Sequence, residues 1–439
     1  MTISNGIFSS VTEAVEAANI AYDFYKKFGI SNREEVIEAL REKMNLNLET
    51  MARMTFKETR MGKIEDKRKK LDLAINRTPG TEDLVTEVLT KDKSMTLYEL
   101  SSYGVVCAIQ PSTNPAATLI NNVISILAAG NAVIICPHPR AIEVSKYITN
   151  LMAETIYQVC GIENLVVSLD NISMQNINQV MNHPDVDLIL STGGSDVARE
   201  VARCDKKVIS AGPANPTIIV DETADLEKAA SSIVRGASFD NNLMCISEKN
   251  IVVVDEVYDS FKDSLIKEEV YYVDDFKQML ALSKVLLTDE LRPNRLLGGR
   301  DVKEILEMAG IKTSKSYSLI AIDVPKIHPL VTEELLMPVI SIVRAKDFES
   351  ALSIAENAEQ HFMHTAGIHS SNIERLNLAA RQLKTSIFIK NGSSLDAIGF
   401  SDNNPCSFSI ANISGEGALT ARNFARRRRC VLVDAFSIR

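Results

Sequence analysis

From Val11 to about Leu73, apolar positions recur at helical spacing. Val11-Thr12-Glu13-Ala14-Val15 opens an alanine-rich amphipathic helix. Ser31-Asn32-Arg33-Glu34-Glu35 opens another, with Val36, Ile37 and Leu40 as its apolar stripe. Thr78-Pro79-Gly80 breaks the pattern, and residues 95 to 100 alternate as an exposed strand does. The period then changes. Short, continuous apolar runs at 105–109, 132–136, 165–167 and 187–190 read as buried strands. Helical stretches at about 116–129 and 141–159 separate the first three of them. Strands alternating with helices predict an α/β fold with a mostly parallel sheet, whose ligands bind beyond the carboxyl ends of the strands. A second α/β unit starts near Ala224. It has strands at 251–254, about 319–322 and 386–389, and helices near 257–267 and 301–309.

The composition fits this reading and narrows it. A chain of 439 residues can bury two cores, so two domains are expected. With 45% apolar and 24% charged residues it reads as a soluble globular protein. A net charge of −9 argues against nucleic acid as a partner. The seven cysteines are dispersed and form no C-x-x-C pair, which points to reduced thiols in the cytosol and to no structural metal. No apolar run reaches membrane-spanning length, and no basic segment followed by an apolar one opens the chain. Neither membrane insertion nor secretion is expected on this reading.

Two stretches carry candidate chemistry. In Gly236-Ala237-Ser238-Phe239-Asp240-Asn241-Asn242-Leu243-Met244-Cys245-Ile246-Ser247-Glu248-Lys249, a small-residue helix runs into a polar turn, a single cysteine and then an apolar strand. A cysteine on such a turn can be half-exposed with backbone N–H groups beside it, as a nucleophilic thiolate requires. A small buried filler is the alternative. Ser191-Thr192-Gly193-Gly194-Ser195 follows a strand and opens a helix, offering close backbone approach and N–H groups to a dinucleotide. There is no G-x-G-x-x-G fingerprint, so an ordinary turn is the alternative here.

Several longer motifs stand in order along the chain: Gly6-Ile7-Phe8-Ser9-Ser10-Val11, Gln110-Pro111-Ser112-Thr113-Asn114-Pro115, Pro137-His138-Pro139, Val220-Asp221-Glu222-Thr223-Ala224-Asp225-Leu226, Gly236 to Lys249, Arg426 to Leu432, and the closing Ala435-Phe436-Ser437-Ile438-Arg439. By these the chain resembles the CoA-acylating aldehyde dehydrogenase family, and within it the propionaldehyde dehydrogenases of propanediol utilisation. The resemblance implies an aldehyde dehydrogenase-like fold. A nucleotide-binding domain would span 1–220, a catalytic domain carrying Cys245 would span 221–410, and a return segment with an arm strand would span 411–439. A two-stranded oligomerisation arm, 95–103 with about 427–436, would make the chain a homo-oligomer. The four-arginine run would then be the charged face of the arm.

The resemblance also assigns roles. Cys245 would attack a short-chain aldehyde, NAD would take the hydride, and coenzyme A would receive the acyl group. The oxyanion would be held by the Cys245 N–H and by the side chain of Asn114 or of Thr113. Capping of the following helix is the other use for Asn114. Thr192, Gly193 and Gly194 would line the pyrophosphate site, and Pro137 and His138 the adenosine ribose. Glu334, in Glu334-Leu335-Leu336-Met337-Pro338, would hold the other ribose. His364 joins this cofactor-binding set, with a solvated surface histidine as its alternative. NAD and NADP are not distinguished.

Hydrolytic relatives carry a water-activating glutamate in a Glu-Leu-Gly-Gly turn. The matching turn here, Ser210-Ala211-Gly212-Pro213-Ala214-Asn215-Pro216, holds no titratable residue. Water without a base is a poor nucleophile, whereas the thiol of coenzyme A is already partly ionised near neutral pH. Thiolysis to propionyl-CoA is expected. Acetaldehyde as main substrate, or hydrolysis with a base such as Glu333, are the alternatives. Gly212 is expected to hold a backbone conformation reserved for glycine. Relatives that enter bacterial microcompartments carry an amphipathic helix ahead of Gly-Ile-Phe. Only Met1 to Asn5 precede that element here, so the cytosol and a microcompartment both remain expectations.

Overall fold

The computed structural model describes residues 4–401 and 404–434, excluding the side chains of 195 and 196. Three helices, Val11–Tyr25, Ile30–Thr59 and Ile64–Arg77, open the chain. The second buries Val36, Ile37, Leu40, Met44 and Met51 along one stripe and stops at Arg60, whose φ of 55° breaks the helical path.

These helices pack against a six-stranded, wholly parallel sheet. Its strands lie in the spatial order Ile7–Phe8, Val166–Leu169, Ala132–Cys136, Val105–Ile109, Leu188–Thr192, Lys207–Ala211. The middle strands are buried on both faces, which is why they read as unbroken apolar runs. Helix Pro115–Ala128 is buried along its whole length. Strand order reverses between Val105–Ile109 and Leu188–Thr192. The loops 110–115 and 193–194 therefore flank a topological switch point, where such sheets bind their ligands.

A second sheet has seven parallel strands, in the order Val270–Val273, Leu319–Asp323, Val339–Ala345, Asn250–Val254, Thr217–Val220, Thr365–His369, Ile387–Lys390. Two boundaries differ from the sequence expectation. Strand Thr217–Val220 lies inside the second sheet, between Asn250–Val254 and Thr365–His369, so the chain crosses over before residue 217, not at 220. Cys406, Phe408 and Ile410 belong to the core of the first sheet, so the return segment starts earlier than 411. The Phe408 N–H donates to Asn121 Oδ1 (3.0 Å) and the Ile413 N–H to the Ser210 carbonyl (3.2 Å).

The arm is three-stranded rather than two-stranded. Ser94–Ser102 is the centre, Ala425–Val433 pairs with one edge, and Glu87–Lys91 forms a hairpin on the other. The arginine run lies on this sheet as expected. Arg427 stacks 3.7 Å from the Tyr98 ring centre and pairs with Glu87 at 2.8 Å, while Arg426 lies over Tyr103. The expected end of the arm strand, 435–436, falls outside the described residues. Among the described residues, no helix is long and apolar enough to cross a membrane, and no cluster of His, Cys, Asp and Glu could hold a metal ion.

Candidate active site

Helix Leu226–Ser238, capped by the Asp225 carboxylate on the Lys228 N–H (3.1 Å), delivers the chain to the cysteine turn. Asp240, Asn241 and Asn242 then take φ of 47°, 55° and 61° in succession. Left-handed backbone is tolerated best by Asp and Asn among residues with a Cβ, but three in a row must be held from outside. The Asp240 carboxylate accepts from the Lys63 N–H (2.7 Å), from Lys67 Nζ (3.2 Å) and from Lys70 Nζ. Asn241 Nδ2 donates to the Gly299 carbonyl (3.0 Å) and Asp301 Oδ1 (2.9 Å). Asn242 Nδ2 donates to the Glu248 carbonyl (2.9 Å). Lys249 Nζ closes the turn, donating to the Asn242 carbonyl (2.8 Å), to Asn242 Oδ1 and to the Met244 carbonyl (3.3 Å). Glu248 is buried against Gly236 and accepts from the Ser394 N–H (2.8 Å) and hydroxyl (2.9 Å). A Cβ on Gly236 would lie 2.0 Å from Glu248 Oε2, which accounts for a glycine inside that helix.

Cys245 is half-buried at the end of this turn. Its own N–H and that of Ile246 favour the thiolate, as the sequence setting anticipates, and so does Lys249. Burial and the nearby Glu334 oppose them and push the thiol up to about 12. The expected ready thiolate is therefore held as a thiol. Burial also raises the Glu334 carboxyl, against the lowering effects of Lys249 and the Ala214 N–H, and lowers the Lys249 ammonium. His364 is buried, with Nδ1 2.8 Å from Thr365 Oγ1, and not a solvated surface residue. Burial, then Lys249, depress it to about 3, so it is neutral. Its backbone N–H is fixed on Glu359 Oε1 (3.1 Å). Cys245, Lys249, Glu334 and His364 thus form one electrostatic cluster. Glu333 is turned away and pairs with Arg292 at 2.7 Å, so the carboxylate near the cysteine is its neighbour.

The other expected residues sit at carboxyl ends of first-sheet strands. Asn114 makes no capping hydrogen bond to the helix it precedes, which overturns the capping alternative. Its Oδ1 accepts from Lys70 Nζ (2.6 Å) and its Nδ2 donates to Thr113 Oγ1 (3.3 Å). Thr192 Oγ1 lies 3.0 Å from Ser409 Oγ. Gly193 and Gly194 do not need to be glycine for the fold. Neither has positive φ, a Cβ at 194 would meet nothing within 4 Å, and one at 193 would make only ordinary contact with Val197. Their bare backbone leaves room for a ligand's phosphates. Pro137 is buried, and half-buried His138 accepts at Nδ1 from the Arg140 N–H (3.1 Å). Gly212 also departs from expectation. Its φ is not positive, and a Cβ there would meet only the Cδ1 end of exposed Ile413, a flexible tip that can move aside.

Glu248 and Lys249 close the cysteine motif but were given no role there, and Lys67, Lys70 and Glu359 were not legible as site residues. Among them only the i, i+3 spacing of Lys67 and Lys70 hints at a shared face, and charged pairs at that spacing ordinarily face solvent.

The aldehyde dehydrogenase family model matches residues 1–273 and 313–400. The propanal dehydrogenase (CoA-propanoylating) of Citrobacter freundii is 44% identical over 99% of this chain and 94% of its own length. The Rhodopseudomonas palustris propionaldehyde dehydrogenase, solved with bound CoA and an acylated cysteine, superposes with a TM-score of 0.97 at 39% identity, covering both chains completely. A propionaldehyde dehydrogenase from the Clostridium phytofermentans fucose-utilisation microcompartment gives a TM-score of 0.96 at 39% identity, over 99% of this chain and all of that one. With this coverage, on a fold that sets Cys245 among Lys249, Glu334 and His364, the chain belongs to the aldehyde dehydrogenase family.

Proposed function

We propose that the chain oxidises propionaldehyde and passes the acyl group to coenzyme A, with Cys245 as nucleophile. The observation that carries this reading is the turn at 210–216. Where hydrolytic relatives have a glutamate, this chain has Ala211 at a strand end and Gly212 after it, and no titratable residue stands between 210 and 216.

Half-buried Cys245 gives its proton to solvent and its thiolate attacks the aldehyde carbon; the carbonyl π pair moves to oxygen, giving a thiohemiacetal whose oxyanion accepts from the Cys245 N–H and the Asn114 amide. Thr113, whose hydroxyl accepts from Asn114, supports that amide instead of replacing it. Lys249 offsets the negative charge on sulfur and oxygen. NAD, when bound, accepts the hydride released as the adduct becomes a thioester. Thr192, Gly193 and Gly194 hold the pyrophosphate, Pro137 and His138 border the adenosine, and Glu334 binds the remaining ribose. Glu334 would then swing from its place beside Ala214, relieving the thiol of a negative neighbour. Coenzyme A attacks as the thiolate already present near neutral pH, and Cys245 leaves as its own thiolate; His364 stands neutral within the cluster. The first sheet with the return segment is the nucleotide-binding domain, and the second sheet is the catalytic domain. The arm joins copies of the chain: Val88, Leu89, Val431 and Val433 are exposed on it, and it has a free edge on each side. Residence in a microcompartment is proposed by likeness to the Clostridium enzyme.

The position of Glu334 against Ala214 favours one second reading, in which that carboxylate activates water and free acid is released. Rapid mixing of enzyme with propionaldehyde and NAD separates the two. Without coenzyme A, thiolysis requires a burst of NADH near one per Cys245, then a much slower rate that coenzyme A restores. Full-speed turnover without coenzyme A would establish the hydrolytic reading. Acetaldehyde differs by one methylene, worth about 1–3 kcal/mol in an apolar pocket, so kcat/KM ratios for the two aldehydes decide the preferred substrate.

A further inference from the structure

Helix Ile64–Arg77 packs against helices Ile30–Thr59 and Pro115–Ala128 and also reaches the turn at Phe239–Asn242, so it holds two parts of the site at once. Lys70 Nζ donates to Asn114 Oδ1 at 2.6 Å and to Asp240 Oδ2. Lys70 and Asp240 are almost wholly buried, and Asn114 is 6% exposed. We infer that Lys70 is a positioning residue for the reaction: it fixes which end of the Asn114 amide faces the developing oxyanion, and it ties that amide to the turn that carries Cys245.

The argument starts from the amide. An asparagine side chain has a donor end and an acceptor end of nearly the same shape, and rotation about its last bond exchanges them. The helix that follows does not choose between them, because Asn114 makes no capping bond. Lys70 does choose. An ammonium has three donors and no acceptor, so the atom facing it must be the carbonyl oxygen. The NH2 group is then directed away, spends one proton on a 3.3 Å bond to Thr113, and keeps the other for a ligand.

The second contact sets the distance scale. Asp240 opens the run of three left-handed residues before Cys245. Its other carboxylate oxygen is taken by the Lys63 N–H (2.7 Å), and its own N–H donates to Asp66 Oδ2 (3.0 Å). Lys63, Asp66, Lys67 and Lys70 all lie on or just ahead of one helix, so that helix grips the start of the turn from several sides. Gly62 completes the fit, since a Cβ there would stand 2.0 Å from Asp240 Oδ1. Oxyanion donor and nucleophile come from different sheets. Lys70 is the side chain that touches the donor and the nucleophile's anchor together, and a displacement of about 1 Å between such groups is enough to slow a reaction by about a hundredfold.

This inference rests on the reading of Asn114 as oxyanion donor, and the test separates the two. Lys70→Met, Asn114→Ala and the double variant are assayed with propionaldehyde, NAD and coenzyme A. Rates are expressed per Cys245 titrated by iodoacetamide in the natively eluting fraction, so unfolded molecules do not enter. Asn114→Ala is expected to lower kcat by about 10²–10³-fold, the usual effect of losing one oxyanion donor. Lys70→Met is expected to lower kcat by about 30–300-fold with the aldehyde KM changed less than about threefold, and the double variant to be no slower than Asn114→Ala alone. Iodoacetamide alkylation of Cys245 should change little in Lys70→Met, since the thiol keeps its neighbours. If Lys70→Met does not fold, Lys70→Gln, one atom shorter but polar and able to present either end of an amide to Asn114, is held to the same criteria. Should Asn114→Ala lose activity while the Lys70 variant keeps kcat within about threefold, the positioning role is overturned and the oxyanion reading stands. Full activity in Asn114→Ala overturns the oxyanion reading itself. Additive losses in the double variant assign Lys70 a structural role only.

Discussion

Replacing Lys249 by Met should make Cys245 less reactive, and replacing Glu334 by Gln should make it more so. The magnitudes follow from the cluster. Lys249 Nζ holds the Asn242 and Met244 carbonyls on either side of the turn, and among the described residues no carboxylate shares a hydrogen bond with it. Its charge acts on the sulfur from a buried position and lowers the thiol pKa, while Glu334 raises it. A neighbouring charge in such a setting moves a pKa by about 1–3 units, each worth about 1.4 kcal/mol. With the thiol near 12, alkylation between pH 7 and 9 draws on a small thiolate fraction, and its rate rises about tenfold per pH unit. Lys249→Met should displace that line downward by about tenfold or more, and Glu334→Gln upward by a similar factor. The assay is iodoacetamide labelling over that pH range, read by mass spectrometry on the peptide containing Cys245, because exposed Cys430 also reacts. Loosening of the turn cannot imitate the result, since added exposure would speed labelling in both variants. Lys249→Met also orphans buried carbonyls, at about 1–3 kcal/mol each, so labelling is compared at temperatures where both proteins are folded. Adding NAD to the wild type should speed labelling by drawing Glu334 toward the ribose, and Glu334→Gln should lose that response. Shifts of the same sign in the two variants, or none, would refute the electrostatic account.

Cys245→Ala should abolish NADH formation, while substitution of each other cysteine leaves it intact; residual turnover above about a hundredth of wild type would contradict the assignment. Gly212→Glu combined with Ile413→Ala, which clears the space a side chain needs, should raise the slow rate after the burst by at least about tenfold and release propionate. An unchanged slow rate in the folded double variant would show that a carboxylate there cannot reach the thioester. His369 is buried and depressed to about 4, chiefly by burial. As pH falls below about 6.5 the unfolded chain takes up a proton that the native His369 refuses until about pH 4. Its share of stability is therefore full above 6.5 and drains at about 1.4 kcal/mol per unit below it. His369→Asn should lose about 2.7 kcal/mol less than wild type between pH 6.5 and 4.5 in denaturant melts, and parallel curves would refute this.

The four inner strands of the first sheet were legible because they are buried on both faces, whereas the edge strands Ile7–Phe8 and Lys207–Ala211, partly exposed, were not read. Val105–Ile109 and Ala132–Cys136 lie where their apolar runs placed them, bounded by proline or glycine. Legibility failed where burial and pattern part company. Glu87–Lys91 is exposed at every position, so nothing in its composition separates a strand from a loop. Thr217–Val220 is apolar enough to be called a strand, but only its partners assign it to the second sheet. The site divides in the same way. Cys245, Glu334 and His364 stand in motifs whose spacing survives in the sequence. Lys67 and Lys70 do not, because a lysine reads as a solvent-facing residue until its counter-ion is known. That counter-ion, Asp240, lies 170 residues further along the chain from Lys70. The sequence around Asp240 suggests a polar turn, and so it is, but its three left-handed residues are not stable on polarity alone. They persist because Asp240, Asn241 and Asn242 each bond to a different segment: the helix Ile64–Arg77, the loop at Gly299 to Asp301, and the strand entry at Glu248 and Lys249. A local motif of Asp and Asn thus specifies which backbone shape is permitted, and distant lysines specify that it is adopted. The placing of Cys245 against the Asn114 amide is consequently a property of the assembled fold, and a substitution as remote in sequence as Lys70 should be felt in that alignment while the thiol's own reactivity is kept.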